Sequence, residues 1–475
     1  MQPMNFKEFF QKHKIGVTIF VFAVAVRLVL FAVNFHATDN DFIGTIHGGD
    51  GYYEISKNLI DGNGYSFDQG PIFTPEPLRP PLWIFTMAFI AKVFGSYVPV
   101  FIFEIILGSL IPVLGMYLAR RVISPSLATI VGLLLALEPN GVLLSFLNVS
   151  EIPFTFLFLV FVVFLFRYVE NQTTRNIVWA GLFLGLAILV KPTVQFLLVI
   201  IPVVLLIFFR RTKFPNTFQA KHLVYFITVC VLVFSHWVYR NYQDFGAFGL
   251  SAQPAYNLYA VLVPTVLSID NGTNYKDEFK QIDSIINAGG GGITLTNSGF
   301  YIKQALGIFA EHKMAFLQSL GISMVTFFTH DGMLTVLDSS KIAIPNFLEK
   351  PALVLLFTDP QTLVRHIISY AGSPGLIIFV ARLFWIAVAF LFIIGAGIFL
   401  RREKFSLIAY LAIGIVIYFA LLTTANGFGM NARFRIPVNA FIFTFAIYGF
   451  SVLWSVLGRR LFPKYEKTVD YHTDL

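Results

Sequence analysis

The chain has 475 residues, of which 56% are hydrophobic and only 13% charged, with a mean hydropathy of +0.74. Soluble domains carry about 25% charged residues, and apolar runs of about 20 residues, long enough to span a bilayer, recur along this chain. The composition therefore excludes an ordinary soluble protein. It implies an all-α polytopic membrane protein, because open sheet edges cannot be satisfied in lipid. The net charge of +8 sits mainly at the ends of apolar runs, so it reports topology and not a nucleic-acid partner. The single Cys230 lies inside an apolar run, which excludes an internal disulfide and offers no metal-site spacing.

Taken in order, the chain begins with Lys7, Lys12 and Lys14, followed by an apolar run from Ile15 to Phe35. This run is too long for a signal peptide and lacks a small-residue cleavage site, so a retained first helix is expected. A polar, acidic loop follows from about Phe35 to Leu82, with a short interfacial helix over Tyr53 to Ile60. Pro81 to Phe94 is apolar but short, and is expected to be interfacial or re-entrant. Nine further spans are expected. They cover Val98 to Arg120, Leu127 to Phe146, Ile152 to Arg167, Ile177 to Val190, a return to Arg210, Val224 to Trp237, Gly375 to Leu400, Leu407 to Leu422 and Val438 to Leu457. That gives ten spans, with room for two more.

Basic clusters at Lys12-His13-Lys14, Arg120-Arg121, Arg167 with Arg175, Arg210-Arg211, Arg401-Arg402 and Arg459-Arg460 all abut helix ends. Placing them in the cytoplasm gives an alternating thread with both termini cytoplasmic and the first loop external. Three parts follow: a transmembrane core over 1–238, an external or interfacial segment over 239–373, and C-terminal helices with a cytoplasmic tail over 374–475. The middle segment contains a flexible run, Gly289 to Gly292, and apolar stretches at Met314 to Phe328 and Ala352 to Phe357.

This thread gathers polar residues at the external ends of the helices. Asp50 lies in His47-Gly48-Gly49-Asp50-Gly51-Tyr52-Tyr53, and the loop closes on Arg79-Pro80-Pro81. Glu151 starts one span, Lys191-Pro192 ends another, and Arg240-Asn241, Arg433 and Arg435 lie at further outer ends. Singly, each has a plain explanation: a Gly-Asp-Gly turn for Asp50, a dipole-favoured carboxylate for Glu151, a snorkelling side chain for Lys191. Together, one lysine and three arginines on the face that usually lacks them point to an anion there, and arginine suits phosphate. A carboxylate poised over such a cluster suits a general base facing a phosphorylated electrophile. Arg27, Glu104, Glu138 and Arg382 fall within apolar runs; Glu104 and Arg382 are expected to pair, and Arg27 to reach the same pocket.

In this order the motifs resemble the C-type superfamily of integral-membrane glycosyltransferases, in the branch that contains the protein O-mannosyltransferases and the lipid A aminoarabinose transferases. The resemblance rests on Gly49-Asp50-Gly51-Tyr52-Tyr53, Gly62-Asn63-Gly64-Tyr65-Ser66, Leu78-Arg79-Pro80-Pro81-Leu82-Trp83, Glu151, Lys191-Pro192, His236-Trp237 through Arg240-Asn241 to Phe245-Gly246, and Arg433-Phe434-Arg435-Ile436-Pro437. It implies transfer of a hexosyl or pentosyl unit from a polyprenyl-phosphate donor to a glycan, lipid or protein acceptor at the external membrane face. It implies Asp50 as base, Lys191, Arg240, Arg433 and Arg435 as phosphate contacts, and His47, Tyr53, Arg79, Glu151 and Asn241 as substrate contacts. Relatives often carry a second acid beside the first, where this chain has Gly51, so a divalent metal ion is left open. The alternative is a transporter or flippase of lipid-linked saccharides, which should show repeated halves and a midplane cavity.

Overall fold

In a computed structural model of the chain, residues 6–211, 219–288, 292–343, 355–356, 359–403, 406–428 and 431–461 are described. Among them there is no strand. The first helix, α1 (Phe6–Ala37), leads into α2 (Phe42–Ile46), α3 (Tyr52–Asp61) and α4 (Pro81–Phe94), which lie in and after the first loop. The bundle continues with α5 (Val98–Ala119), α6 (Pro125–Leu137), α7 (Pro139–Leu143), α8 (Glu151–Glu170), α9 (Thr174–Val190), α10 (Leu197–Arg211) and α11 (Lys221–Phe245).

Eight helices are long and apolar enough to cross a membrane, and a ninth span is possible if a bent pair counts as one. Two of the ten expected spans fall short. The expected Leu127 to Phe146 span is 13 residues of α6, about 20 Å of helix, broken at Glu138-Pro139. Glu138 is extended there because a residue before proline is pushed out of the helical region. Its carboxylate then caps α7 by accepting from the Gly141 amide at 2.6 Å. The other short span, α9, has 17 residues; Thr173 caps its start, and Lys191-Pro192 ends it.

α9 packs between α8 and α11. Its Gly181 and Gly185 lie against backbone of α11; a Cβ on them would stand 2.6 Å from the Phe226 carbonyl and 3.0 Å from that of Cys230. Small residues at i and i+4 give this close approach between membrane helices. The packing fixes the end of α9, and therefore the position of Lys191.

The segment after α11, expected to be external or interfacial, is largely helical among its described residues. It forms α12 (Gln253–Tyr256), α13 (Val263–Asp270), α14 (Tyr275–Ala288), α15 (Ser298–Glu311), α16 (Lys313–Thr329) and α17 (Met333–Ser339). Ala255, Tyr259, Ile282, Ile286, Tyr301 and Phe309 give these helices a small apolar core of their own. α16 and α17 are the bent pair, turning 69° at His330-Asp331-Gly332. Of the Gly289 to Gly292 run only Gly292 is among the described residues, and of Ala352 to Phe357 only Leu355 and Leu356. Last come α18 (Pro360–Tyr370), α19 (Leu376–Arg402), α20 (Leu407–Thr423), α21 (Asn431–Arg435) and α22 (Asn439–Leu461), with α19 packed along α22.

Candidate functional site

Four charged side chains from distant parts of the chain meet at the loop end of the bundle. Arg433 is ion-paired with Asp50 of the first loop and with Glu151 at the start of α8. Its Nε lies 2.7 Å from one Glu151 oxygen, and its Nη2 donates to the other at 2.8 Å. Lys191, just past the end of α9, pairs with the same carboxylate. Glu151 is the deepest member, with a side chain 2% exposed, whereas Asp50 is 28% exposed. Burial pushes the Lys191 ammonium below its ordinary pKa, and the neighbouring Glu151 opposes that.

The first loop presents Asp50 through local geometry. Gly49 and Gly51 have φ of +72° and +81°, which side chains with a Cβ rarely adopt. Asp50 is thereby turned outward just before α3, whose Tyr52 is buried beneath it. Arg79 holds the Asp50 carbonyl with its Nε at 2.8 Å, reaches Gln253 at 3.1 Å, and covers the Tyr52 ring at 5.7 Å. Burial raises the Tyr52 phenol to about 12, so it stays neutral. Arg79 acts on the backbone of the first loop, and the Pro-Pro turn that follows starts α4.

Other expected residues lie nearby in different roles. His47 pairs with Glu54 at 2.6 Å, and its ring meets Tyr53 edge-on at 5.7 Å; Tyr53 also packs on Tyr97. Arg240 pairs with Asp244 at 2.7 Å, donates to Asn241 and to the Glu76 carbonyl, and covers the Tyr65 and Trp237 rings. Asn241 donates to the carbonyls of Gly249 and Leu250. Arg240 and Asn241 thus lock the first loop to the turn after α11, and neither touches the Arg433 cluster. Arg435 is fully buried and faces elsewhere. It donates to the carbonyls of Phe327 and His330 at 2.7 and 2.8 Å and lies over the Trp385 ring at 3.4 Å.

The charges inside apolar runs also differ from expectation. Arg382 pairs with Asp331 at 2.6 Å, not with Glu104. Arg27 is spent on the Ser145 hydroxyl and the Ala23 carbonyl, so it does not reach the cluster. Asn140, His330, Gly332 and Thr335 line a cavity beside Arg433 and were not marked by the sequence reading. They carry no charge pattern by which a sequence could mark them.

Two cavities flank Arg433. One, of about 30 Å³, is lined by Glu151, Lys191 and Arg433 with Phe154, Phe419, Leu422 and Phe434. The other, of about 80 Å³, lies on the Gly48 and His330 side. The donor set does not fit a divalent cation. Both carboxylates of the cluster already face cations, and among the described residues no three His, Cys, Asp or Glu side chains converge as metal ligands.

Residues 78–239 match the family described as dolichyl-phosphate-mannose-protein mannosyltransferase. No curated protein matches the chain. Among solved structures it is similar to the archaeal oligosaccharyltransferase AglB from Archaeoglobus fulgidus, in complex with an inhibitory peptide and a dolichol-phosphate. That match has 17% identity and a TM-score of 0.50, covering 98% of this chain and 53% of that one. ArnT from Cupriavidus metallidurans bound to undecaprenyl phosphate aligns at 15% identity and a TM-score of 0.37, covering 96% and 81% of the two chains. The chain thus spans about half the length of the oligosaccharyltransferase. The family match over about a third of the chain and the shared helical architecture give this chain the fold of the C-type integral-membrane glycosyltransferases.

Proposed function

We propose that this protein is a membrane glycosyltransferase that takes a sugar from a polyprenyl-phosphate donor and passes it to an acceptor at the external membrane face, with inversion. The observation that carries this reading is Arg433 joining Asp50 of the first loop to Glu151, which in turn holds Lys191. Family match and fold support it, as does the dolichol-phosphate in the archaeal relative's complex.

The charge balance fits a displacement. Lys191 and Arg433 are offset by Asp50 and Glu151, so the site is neutral as it stands. A donor phosphodiester brings one negative charge to the aromatic-walled cavity beside Lys191 and Arg433, where the polyprenyl chain can leave along Phe154 and Phe419. The acceptor oxygen or nitrogen forms its bond to the anomeric carbon as the bond from that carbon to the phosphate oxygen breaks. The phosphate departs with the electron pair and gains a charge, while the acceptor proton goes to Asp50. Lys191 and Arg433 stabilise that growing charge where it develops.

Purified protein in lipid nanodiscs, given a polyprenyl-phosphate sugar and an acceptor, tests the reading. A general base contributes about 100- to 10,000-fold, so Asp50→Asn should slow transfer by at least about 100-fold. Transfer by Asp50→Asn at the parent rate would remove Asp50 as base.

A further inference from the structure

The cavity on the far side of Arg433 from Lys191 is built with more care than a packing defect. Its floor is the corner between α16 and α17, which is fastened from three directions. Asn140 donates to the Asp331 carbonyl at 2.8 Å, Arg382 pairs with the Asp331 carboxylate, and Arg435 donates to the Phe327 and His330 carbonyls. Gly332, with φ of +71°, lies so close to Asn140 that a Cβ there would collide with the amide. The corner is therefore held in one conformation, and it carries the His330 side chain into the cavity wall.

The ring of His330 is oriented by its own backbone. Nδ1 lies 3.2 Å from the Gly332 amide, which can only donate, so Nδ1 accepts. In the neutral ring the proton then resides on Nε2, a donor with no partner among the described residues. Arg433, also in the lining, is paired with Asp50 and Glu151. The remaining lining is neutral: it includes Leu143, Leu144 and Leu147 as apolar members and Asn140 and Thr335 as polar ones. A cavity of about 80 Å³ holds roughly six waters at about 10–15 Å³ each. That is room for a ligand of about one sugar ring.

We propose that this cavity is a subsite for one uncharged sugar ring, with its apolar face on the leucines and a hydroxyl oxygen accepting from His330 Nε2. The proposal rests on the glycosyltransferase reading and narrows it: no carboxylate lines this cavity to meet an amino sugar, and its one cation, Arg433, is already paired with Asp50 and Glu151. The ring can belong to the donor or to the acceptor, and the chemistry is the same in either case.

The first test needs no turnover. The 475-residue chain in nanodiscs is titrated with methyl α-mannoside, methyl β-glucoside and methyl β-galactoside, followed by saturation-transfer NMR. At least one should bind saturably, and glucosamine and glucose 6-phosphate should not displace it. His330→Ala should weaken binding about tenfold, the loss of about 1.4 kcal/mol, while His330→Gln, which keeps an N–H near the Nε2 position, should recover most of it. Thr335→Val, another polar lining position, serves as a second variant that should also weaken binding, and thermal melts of all three check folding. Equal binding by the parent and His330→Ala, absence of binding by every neutral glycoside, or preference for a charged ring overturns the subsite.

With a turned-over polyprenyl-phosphate sugar, His330→Ala should raise one KM and leave kcat within a few-fold. A raised donor KM assigns the ring to the donor, and a raised acceptor KM assigns it to the acceptor. If the parent protein neither binds nor turns over any lipid-phosphate sugar, the glycosyltransferase reading fails, whereas the glycoside titration still decides the subsite.

Discussion

At the scale of residues, Glu151 is the keystone of the charge cluster. Its side chain is almost fully buried, and both of its oxygens are taken by cations. Removing one partner of a buried ion pair leaves an uncompensated charge and costs about 3–5 kcal/mol. Glu151→Gln should therefore lower the melting temperature clearly in detergent, because Lys191 and Arg433 would face each other with Asp50 as their only remaining acid. An anionic polyprenyl phosphate should restore part of the loss, since a ligand that binds the folded state stabilises it. If Glu151→Gln melts like the parent, the cluster is not an ion-pair network. Lys191, Glu151, Arg433 and Asp50 were legible in the sequence because a charge against an apolar background stands out. Arg435 was read as part of the same group, although a two-residue step on a helix turns a side chain by about 200°. That rotation is why Arg433 meets Asp50 and Arg435 meets the α16–α17 corner.

At the scale of elements, this division of labour makes α21, which carries both arginines, a two-sided clamp. One arginine holds the candidate base, and the other holds the corner that shapes the neighbouring cavity. Arg435→Ala would leave two carbonyls without a donor, at about 1–3 kcal/mol each when buried. Arg435→Lys should recover only part of this, because an ammonium lacks the planar fork that serves two carbonyls while stacking on Trp385. Hydrogen exchange at residues 327–333 and thermal melts would measure both effects. Unchanged protection in Arg435→Ala would show that the corner holds without it. The corner itself was beyond the reach of the sequence. Its residues, Asn140, His330 and Gly332, come from segments nearly 200 positions apart and have no periodicity or charge to link them. The shortened α6 was missed because hydropathy continues through Glu138-Pro139, and the backbone break shows only in the local residue pair.

At the scale of the whole molecule, the charges divide between the two ends of the bundle. One end carries the Asp50 loop with Arg79, Lys191, Arg240 and Arg433. The opposite end carries Arg121 paired with Glu170 and Arg167 on Tyr117. An excess of lysine and arginine marks the cytoplasmic side, and that rule predicts the Arg120-Arg121, Arg167 and Arg175 end inside and the Asp50 loop outside. Cys230, the single cysteine, is fully buried and gives little labelling background. Gln69, exposed in the first loop, and Arg175, exposed at the start of α9, are suitable reporters. In intact cells a membrane-impermeant maleimide should label Gln69→Cys and spare Arg175→Cys until the membrane is opened. The reverse pattern would place the Asp50 cluster on the cytoplasmic face, where a donor presented outside could not reach it, and the external assignment would fall.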